Sequence, residues 1–97
     1  MAFGEGGVDG DGNPVAPLGT ATALNDEVAR YPIDSVTYPV PTTARYVAII
    51  PSNDLPGVSI SEAAIVDGDG ELCAIKNFFI KRKDVGVTFT FTFDDEF

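Results

Sequence analysis

The side chains that most often carry chemistry are scarce in this chain. It has no histidine, the commonest general base and metal ligand, and a single cysteine, Cys73. One thiol without a histidine partner favours neither a nucleophile nor a zinc site. Since Cys73 lies between Leu72 and Ala74 in a β-forming stretch, we expect a small core residue. The sequence therefore predicts that this chain is not an enzyme and holds no cofactor.

Two aspartate–glycine runs place carboxylates at alternate positions, as calcium-binding loops do. They are Asp9–Asn13, read DGDGN, and Asp67–Glu71, read DGDGE. Neither run has the glycine at position 6 or the glutamate at position 12 that an EF-hand loop requires. We therefore predict a turn at each run and no metal site. A weak cation site of another type stays open as the alternative, at Asp9 and Asp11 or at Asp67 and Asp69.

Glu62 is the one acid inside the apolar stretch from 58 to 66. Strict alternation along a strand would put it on the same face as Ile60 and Ala64. A carboxylate on such a face needs a cationic partner or a place at a sheet edge. The pattern therefore predicts a structural ion pair, with Arg30, Arg45 and Lys76 as the candidate partners.

The charge of the chain excludes some partners. Fifteen acids and six bases among 97 residues give a net charge of −9, whereas phosphate contacts need clustered bases. The only basic run, 81–83, is predicted to be a solvated loop. No apolar run approaches the roughly 18 residues of a membrane span. We expect no nucleic-acid binding, no membrane insertion and, from the single cysteine, synthesis in a reducing cytoplasm.

The elements that position these residues are mostly strands. Residues 1–19 are rich in glycine and proline and are predicted to be irregular. A short helix is predicted over 20–30, capped by a threonine and ended by Pro32. Residues 33–93 favour β structure, followed by an acidic tail at 94–97. The predicted strands cover 33–38, 45–50, 58–66, 71–79 and 86–93.

The fold class that follows is mainly β. We predict one domain, residues 1–97, built as a small antiparallel β-sandwich or curled sheet of about five strands with one short helix. The last strand is the clearest, because Val87, Phe89, Phe91 and Phe93 alternate with threonines. An apolar strand near a chain end needs a cover, either from its own domain or from another subunit.

This last strand supplies the candidate protein interface. We predict that Phe89, Phe91, Phe93 and Phe97 contact a partner. The alternative is that Phe89 and Phe91 fill the domain's own core. Phe97 follows three acids and has no evident internal use, so it is the strongest interface candidate.

Three segments resemble a known family. Phe3–Gly7 (FGEGG), with the prolines at 14 and 17, resembles a glycine-rich opening segment of the form GDG…P. Thr22–Arg30 (TALNDEVAR) resembles a helix of the form TALxNEVxR, and Val58–Ala74 resembles a hairpin of the form IxExGLxDxDGxLxA. Together they are similar to the N-terminal, tail-attachment domain of bacteriophage tail-collar fibre proteins. Ala64 stands where that hairpin usually has glycine.

The resemblance implies a structural virion protein in the tail of a tailed phage. We expect no shaft or receptor-binding tip after Phe97, so the resemblance points to an adaptor, baseplate or tail-tip component. Its expected partners are other tail, baseplate or fibre proteins and copies of itself, with a trimer favoured. Its expected location is the virion tail after synthesis in the host cytoplasm. The family offers no catalytic residue to carry over.

The resemblance also implies a partner for Glu62. Arg30 ends the helix motif and Glu62 lies in the hairpin motif, so we predict that they pair and hold the helix to the sheet. The alternative function, from a different class, is a small β module that binds carbohydrate or a receptor by stacking on tyrosines. Its candidates are Tyr31, Tyr38 and Tyr46.

Overall fold

Two antiparallel sheets face each other in the computed structural model, which describes residues 1–17 and 23–96. The larger sheet has the strand order β2-β1-β5-β6, and the smaller has the order β3-β4-β7. The strands are β1 Ala2–Gly4, β2 Glu27–Arg30, β3 Ser35–Val40, β4 Thr43–Ile50, β5 Val58–Val66, β6 Leu72–Lys83 and β7 Phe89–Glu96.

The hydrophobic core lies between the sheets. Phe3 and Ile65 enter it from the larger sheet, and Ile50 and Phe93 enter it from the smaller. This arrangement confirms the predicted mainly β, sandwich-like fold. The buried core residues are Met1, Phe3, Ala48, Ile50, Ile60, Ala63, Ile65 and Phe93.

Aromatic contacts fix how the two sheets lie on one another. The rings of Phe3 and Phe91 meet edge to face with centroids 5.3 Å apart, and those of Phe78 and Phe91 lie 5.0 Å apart. Phe78 is on β6 and Phe91 is on β7, and each of these strands ends its own sheet. The free edges of β6 and β7 therefore lie on the same side of the sandwich.

A β-bulge changes the alternation along β5. The register with β6 shifts between Ile60 and Glu62. As a result Ile60 faces the core between the sheets, whereas Ala64 packs with Ala2 and Leu24 in a second apolar cluster. The prediction that Ile60 and Ala64 share a face with Glu62 is wrong for Ile60, because the alternation of faces along β5 is interrupted where its pairing with β6 shifts register.

The predicted helix over 20–30 is not present in the described residues. Residues 23–26 form a bend and a turn, and Glu27–Arg30 is β2, which pairs with β1. The first residues of the predicted helix, 20–22, lie outside the described ranges. The prediction of an irregular 1–19 is also wrong in part, because Ala2–Gly4 is a strand.

Two further boundaries differ from the prediction. The basic run 81–83 ends the 12-residue strand β6 instead of forming a loop. Asp94–Glu96 are the last residues of β7, paired with Thr43–Arg45 of β4, so the predicted acidic tail is strand over these three residues. In both cases backbone pairing to a neighbouring strand extends the element through charged residues.

Candidate functional site

The Glu62 carboxylate is buried against the backbone of two other segments, with 1% of the residue exposed. Its Oε2 accepts hydrogen bonds from the backbone N–H groups of Gly6 and Asp26, at 2.9 and 2.8 Å. Its Oε1 accepts one from the N–H of Asn25 at 2.9 Å. Three donors supply the compensation that a buried charge needs. We call Glu62 with Gly6, Asn25 and Asp26 the Glu62 junction.

Glycines allow the backbone to come this close to Glu62. A Cβ added to Gly4 would overlap the carbonyl oxygen of Asp26 and the Glu62 carboxylate, and one added to Gly6 would lie 2.6 Å from Asn25 Cβ. Gly7 is tighter still, because its Cβ would overlap the backbone carbonyl of Ser61. The Gly7 N–H instead donates to Ser61 Oγ at 2.9 Å. The glycines are therefore required by close backbone approach.

Arg30 and Glu62 do not pair, so that prediction is wrong. Arg30 donates from Nε and Nη2 to the Glu27 carboxylate at 2.8 and 3.1 Å, and from Nη1 to the Gly70 carbonyl at 3.2 Å. Glu62 already has three backbone donors. The physical reason is that backbone N–H groups, which alternation does not reveal, satisfy a buried acid as well as a guanidinium does.

The other two candidate cations are also engaged elsewhere. Arg45 lies directly opposite Asp94 across β4 and β7, and it donates from Nε and Nη2 to that carboxylate at 2.8 and 3.0 Å. The hydrogen bond from Arg45 holds the pKa of Asp94 below its usual value. Lys76 donates to the Asp94 carbonyl at 2.6 Å. The Arg45 contact strengthens the pairing of β4 with β7, and the Lys76 contact attaches β6 to β7.

All three sequence segments singled out above meet at Glu62. Gly6 belongs to the glycine-rich opening segment, Asn25 and Asp26 belong to the TALNDEVAR segment, and Glu62 belongs to the hairpin. Their spatial meeting was not predicted. The sequence does contain a signal for this meeting. It is a single acid in an apolar stretch, together with glycines that belong to no repeat and to no hairpin turn.

The two aspartate–glycine runs are turns of the same geometry, as predicted. In each, the Oδ1 of the first aspartate, Asp9 or Asp67, accepts hydrogen bonds from the N–H groups two and four residues further on, at 2.9–3.1 Å. Gly12 and Gly70 occupy the matching left-handed position, with φ of 81° and 84°. Across residues 1–17 and 23–96, no three acidic or cysteine side chains are placed to hold a metal ion.

Lys83 is a second buried charge, and sequence reasoning missed it. The residue is 0% exposed, and its Nζ donates to the backbone carbonyls of Ser52 and Asp84 at 3.0 and 3.2 Å. The Ser52 carbonyl also accepts from the Gly86 N–H at 2.9 Å. Lys83 therefore joins the loop after β4 to the end of β6. The prediction that it is solvated is wrong, because two carbonyls replace water around the ammonium.

The predicted interface phenylalanines are largely inside the domain. Phe93 is 2% exposed in the core, and Phe89 and Phe91 are half-buried against it. Phe89 and Phe91 therefore fit the alternative, in which they help to fill the domain's own core, better than they fit a fully exposed interface. Phe93 is too buried to contact a partner. Phe97 lies outside the described residues.

Phe89 and Phe91 also line an open groove between the free edges of β6 and β7. The groove has a volume of about 660 Å³. We call it the β6–β7 groove; it is lined by Phe78, Phe89, Phe91, Lys76 and Lys81 together with two threonines of β7. Phe79 and Ile80, which follow on β6, are 67% and 49% exposed. This is an aromatic groove with lysines on one of its two strands.

Cys73 is exposed, and its Sγ lies 4.0 Å from the Glu71 carbonyl. The prediction of a core cysteine is therefore wrong, because the exposed face of β6 begins there. Within the described ranges, no helix is long and apolar enough to cross a membrane.

Comparisons of the chain with family models, with curated proteins and with solved structures found no match. Two features of the geometry of this chain bear on its function. That geometry comprises a buried junction that fixes three segments and an open aromatic groove between two strand edges.

The Glu62 junction predicts a large effect of a small change. Glu62→Gln replaces one carboxylate oxygen with an N–H₂ donor, which leaves at least one buried backbone N–H without an acceptor. We expect a loss of about 2–3 kcal/mol in the free energy of unfolding, measured by urea denaturation. Glu71→Gln, at an exposed position of the neighbouring turn, is the matched control and should change little. If Glu62 and Arg30 do not interact, the losses in unfolding free energy caused by Glu62→Gln and Arg30→Ala should add in the double variant. Strong non-additivity would instead support an ion pair between Glu62 and Arg30.

The close approach at Gly7 predicts a second effect. Gly7→Ala forces a methyl group into the Ser61 carbonyl, so we expect a loss of about 1–3 kcal/mol in unfolding free energy. Gly10→Ala is the control, because nothing lies within 4 Å of a Cβ there. It should be neutral or slightly stabilising. Equal effects of the two substitutions in thermal unfolding would show that the Gly7 contact is not tight.

Proposed function

We propose that this chain is a structural protein of the tail of a tailed bacteriophage, an adaptor-type component of a tail fibre or baseplate. One observation carries the proposal: the three segments that resemble the tail-attachment domain of collar fibre proteins are the three that meet at Glu62. Residues that only resembled the family by chance would have no reason to share one buried contact. The proposed work of the protein is assembly, and its proposed location is the virion tail after synthesis in the host cytoplasm.

The strand edges support an assembly function. Among the described residues, four strands end their sheets, namely β2, β3, β6 and β7, and a free edge pairs readily with another chain. Exposed apolar side chains accompany two of these edges, and such patches mark contact sites. They are Val36, Tyr38 and Val40 on β3, and Phe79, Ile80, Val85 and Val87 on β6 and the turn after it.

Self-assembly is proposed at the β3 edge, with a trimer favoured. All six residues of Ser35–Val40 are exposed and none is charged. In a chain of net charge −9, an uncharged edge is where copies meet with the least repulsion. Pro39 removes one backbone donor, so side-chain contacts of Val36 and Tyr38 carry more of such an interface than a continuous ladder does.

The alternative, a carbohydrate- or receptor-binding module, has less support. Tyr31 donates its hydroxyl to Asp54 at 3.0 Å, and Tyr46 packs against the core. Burial, with this hydrogen bond, raises the pKa of Tyr31. Only Tyr38, at 63% exposed, offers an open ring. The three tyrosines therefore do not form a shared stacking platform.

The proposed location has a direct test. Phage particles are purified from the bacterium that carries this gene, and their proteins are identified by mass spectrometry. We expect the chain in intact particles, and immunogold labelling on the tail. Particles that contain the other tail proteins but lack this chain would contradict the proposal. Material released by the same host with the phage genes deleted is the control for contamination.

The proposed self-assembly is tested by light scattering of the purified protein over a wide range of concentrations. We expect a trimer that Val36→Glu shifts toward monomer, because the substitution places a charge on the uncharged edge. Val15→Glu makes the same change at a similarly exposed position away from this edge and should leave the mass unchanged. A wild-type protein that is monomeric at every concentration would contradict self-assembly at the β3 edge, and attachment to other tail proteins would remain as the proposed activity.

A further inference from the structure

We infer that the β6–β7 groove binds an extended segment of a different protein in which apolar and acidic residues alternate. The inference rests on the proposed function and deepens it, because it names the chemistry of the partner segment. Three features of the groove carry it, namely its floor, its two strand edges and its charge.

The floor of the groove is aromatic and open. Phe78 and Phe91 lie with ring centroids 5.0 Å apart, and Phe89 continues the surface along β7. All three are half-buried, so they already have support from the core on one side. None of the described residues fills the volume of about 660 Å³ in front of them. Apolar side chains of a partner would remove this surface from water.

The two strand edges make an extended segment the fitting occupant. β6 pairs only with β5, and β7 pairs only with β4, over the part of the chain that the structure describes. Each strand therefore presents alternate N–H and C=O groups along the groove, which an added strand satisfies by main-chain hydrogen bonds. Since successive side chains of a strand point to opposite faces, every second partner residue faces the aromatic floor.

The charge of the groove favours acidic residues at the partner positions that alternate with those facing the aromatic floor. Lys76 and Lys81 line the groove; the Lys76 ammonium donates to the Asp94 carbonyl, and the Lys81 ammonium makes no hydrogen bond or ion pair with any described residue. The other bases are committed to other contacts: Arg30 to Glu27, Arg45 to Asp94, Arg82 to Asp84, and Lys83 to backbone carbonyls. On a chain with fifteen acids, an acidic segment is repelled over most of the surface and attracted at this groove.

A second copy of the chain is a poorer occupant. Each copy carries a net charge of −9, so bringing two together is opposed unless the contact is uncharged, as it is at β3. The basic edge of β6 also repels another β6. A partner whose acidic residues are confined to one extended segment avoids both problems.

The test is a peptide titration followed by amide NMR of the whole protein. The probe is a soluble peptide of about nine residues, within the usual range of strand lengths, that alternates valine with glutamate. We expect the amide signals of Phe89–Thr92 and of Lys76–Lys81 to shift together. The control peptide has lysine in place of each glutamate and should bind about tenfold more weakly or not at all.

Matched variants test the charge step. Lys81→Gln should weaken binding of the glutamate peptide about two- to fivefold, as expected for one exposed charge. Asn53→Asp makes the same change in net charge at an exposed loop position and should leave the affinity unchanged. Both sites are exposed, so the fold should tolerate both changes.

Three results would overturn the inference. They are no groove shifts at millimolar peptide, equal binding of the two peptides, and groove signals that shift with protein concentration alone, which would make a second copy the occupant. Failure here leaves the virion test untouched. Conversely, a peptide that binds while the chain is missing from phage particles would separate the groove from the proposed function.

Discussion

The fold depends on one carboxylate that is buried without a cation. Glu62 is stabilised by three backbone N–H groups, two of them more than thirty residues before it and one more than fifty. The donor residues Gly6, Asn25 and Asp26 have no apolar side chain to bury, so these hydrogen bonds add to the apolar contacts of the neighbouring Phe3 and Leu24 in holding their segments in place. Removing the acid would leave several buried donors unsatisfied at once, which is more destabilising than losing one ordinary hydrogen bond. Gly4, Gly6 and Gly7 make this arrangement possible, because a Cβ at any of the three positions would overlap atoms of the neighbouring segments.

Lys83 repeats the same solution with the opposite sign. Its ammonium donates to two backbone carbonyls, as the Glu62 carboxylate accepts from three backbone N–H groups. Each buried charge ties loops to a strand of the larger sheet, β5 for Glu62 and β6 for Lys83. The small hydrophobic core between the two sheets is thus supplemented by directional hydrogen bonds of buried charged groups. Such contacts fix which loop conformation is adopted, whereas apolar packing tolerates several.

The sequence predicted the part of the fold in which local pattern and tertiary pairing agree. The alternation of phenylalanine and threonine in β7, and the β-branched run of β4, identified two strands that the structure confirms, and these two strands pair with each other. Prediction failed where a distant group decides local structure. A helix is predicted over 20–30, but the Glu62 carboxylate accepts hydrogen bonds from the N–H groups of Asn25 and Asp26, and β2 pairs with β1. The bulge before Glu62 and the burial of Lys83 also arise from pairing across the sheet, which no single segment encodes. Phe89 and Phe91 of the groove were predicted from the sequence as interface candidates, but the groove that they line was not predicted.

The place of β1 in the larger sheet has a consequence for how the chain folds. Residues 2–4 lie between β2 and β5, so they need a partner whose residues come about sixty positions later. Contacts of such separation require closure of a long loop before any stabilisation is gained, which slows folding. During synthesis on the ribosome, the inner strand β1 stays unpaired on the side of β5 until residues 62–64 have emerged. Folding is therefore expected to follow synthesis and to proceed cooperatively, with the hairpin of β5 and β6 as the template on which β1 and then β2 are laid.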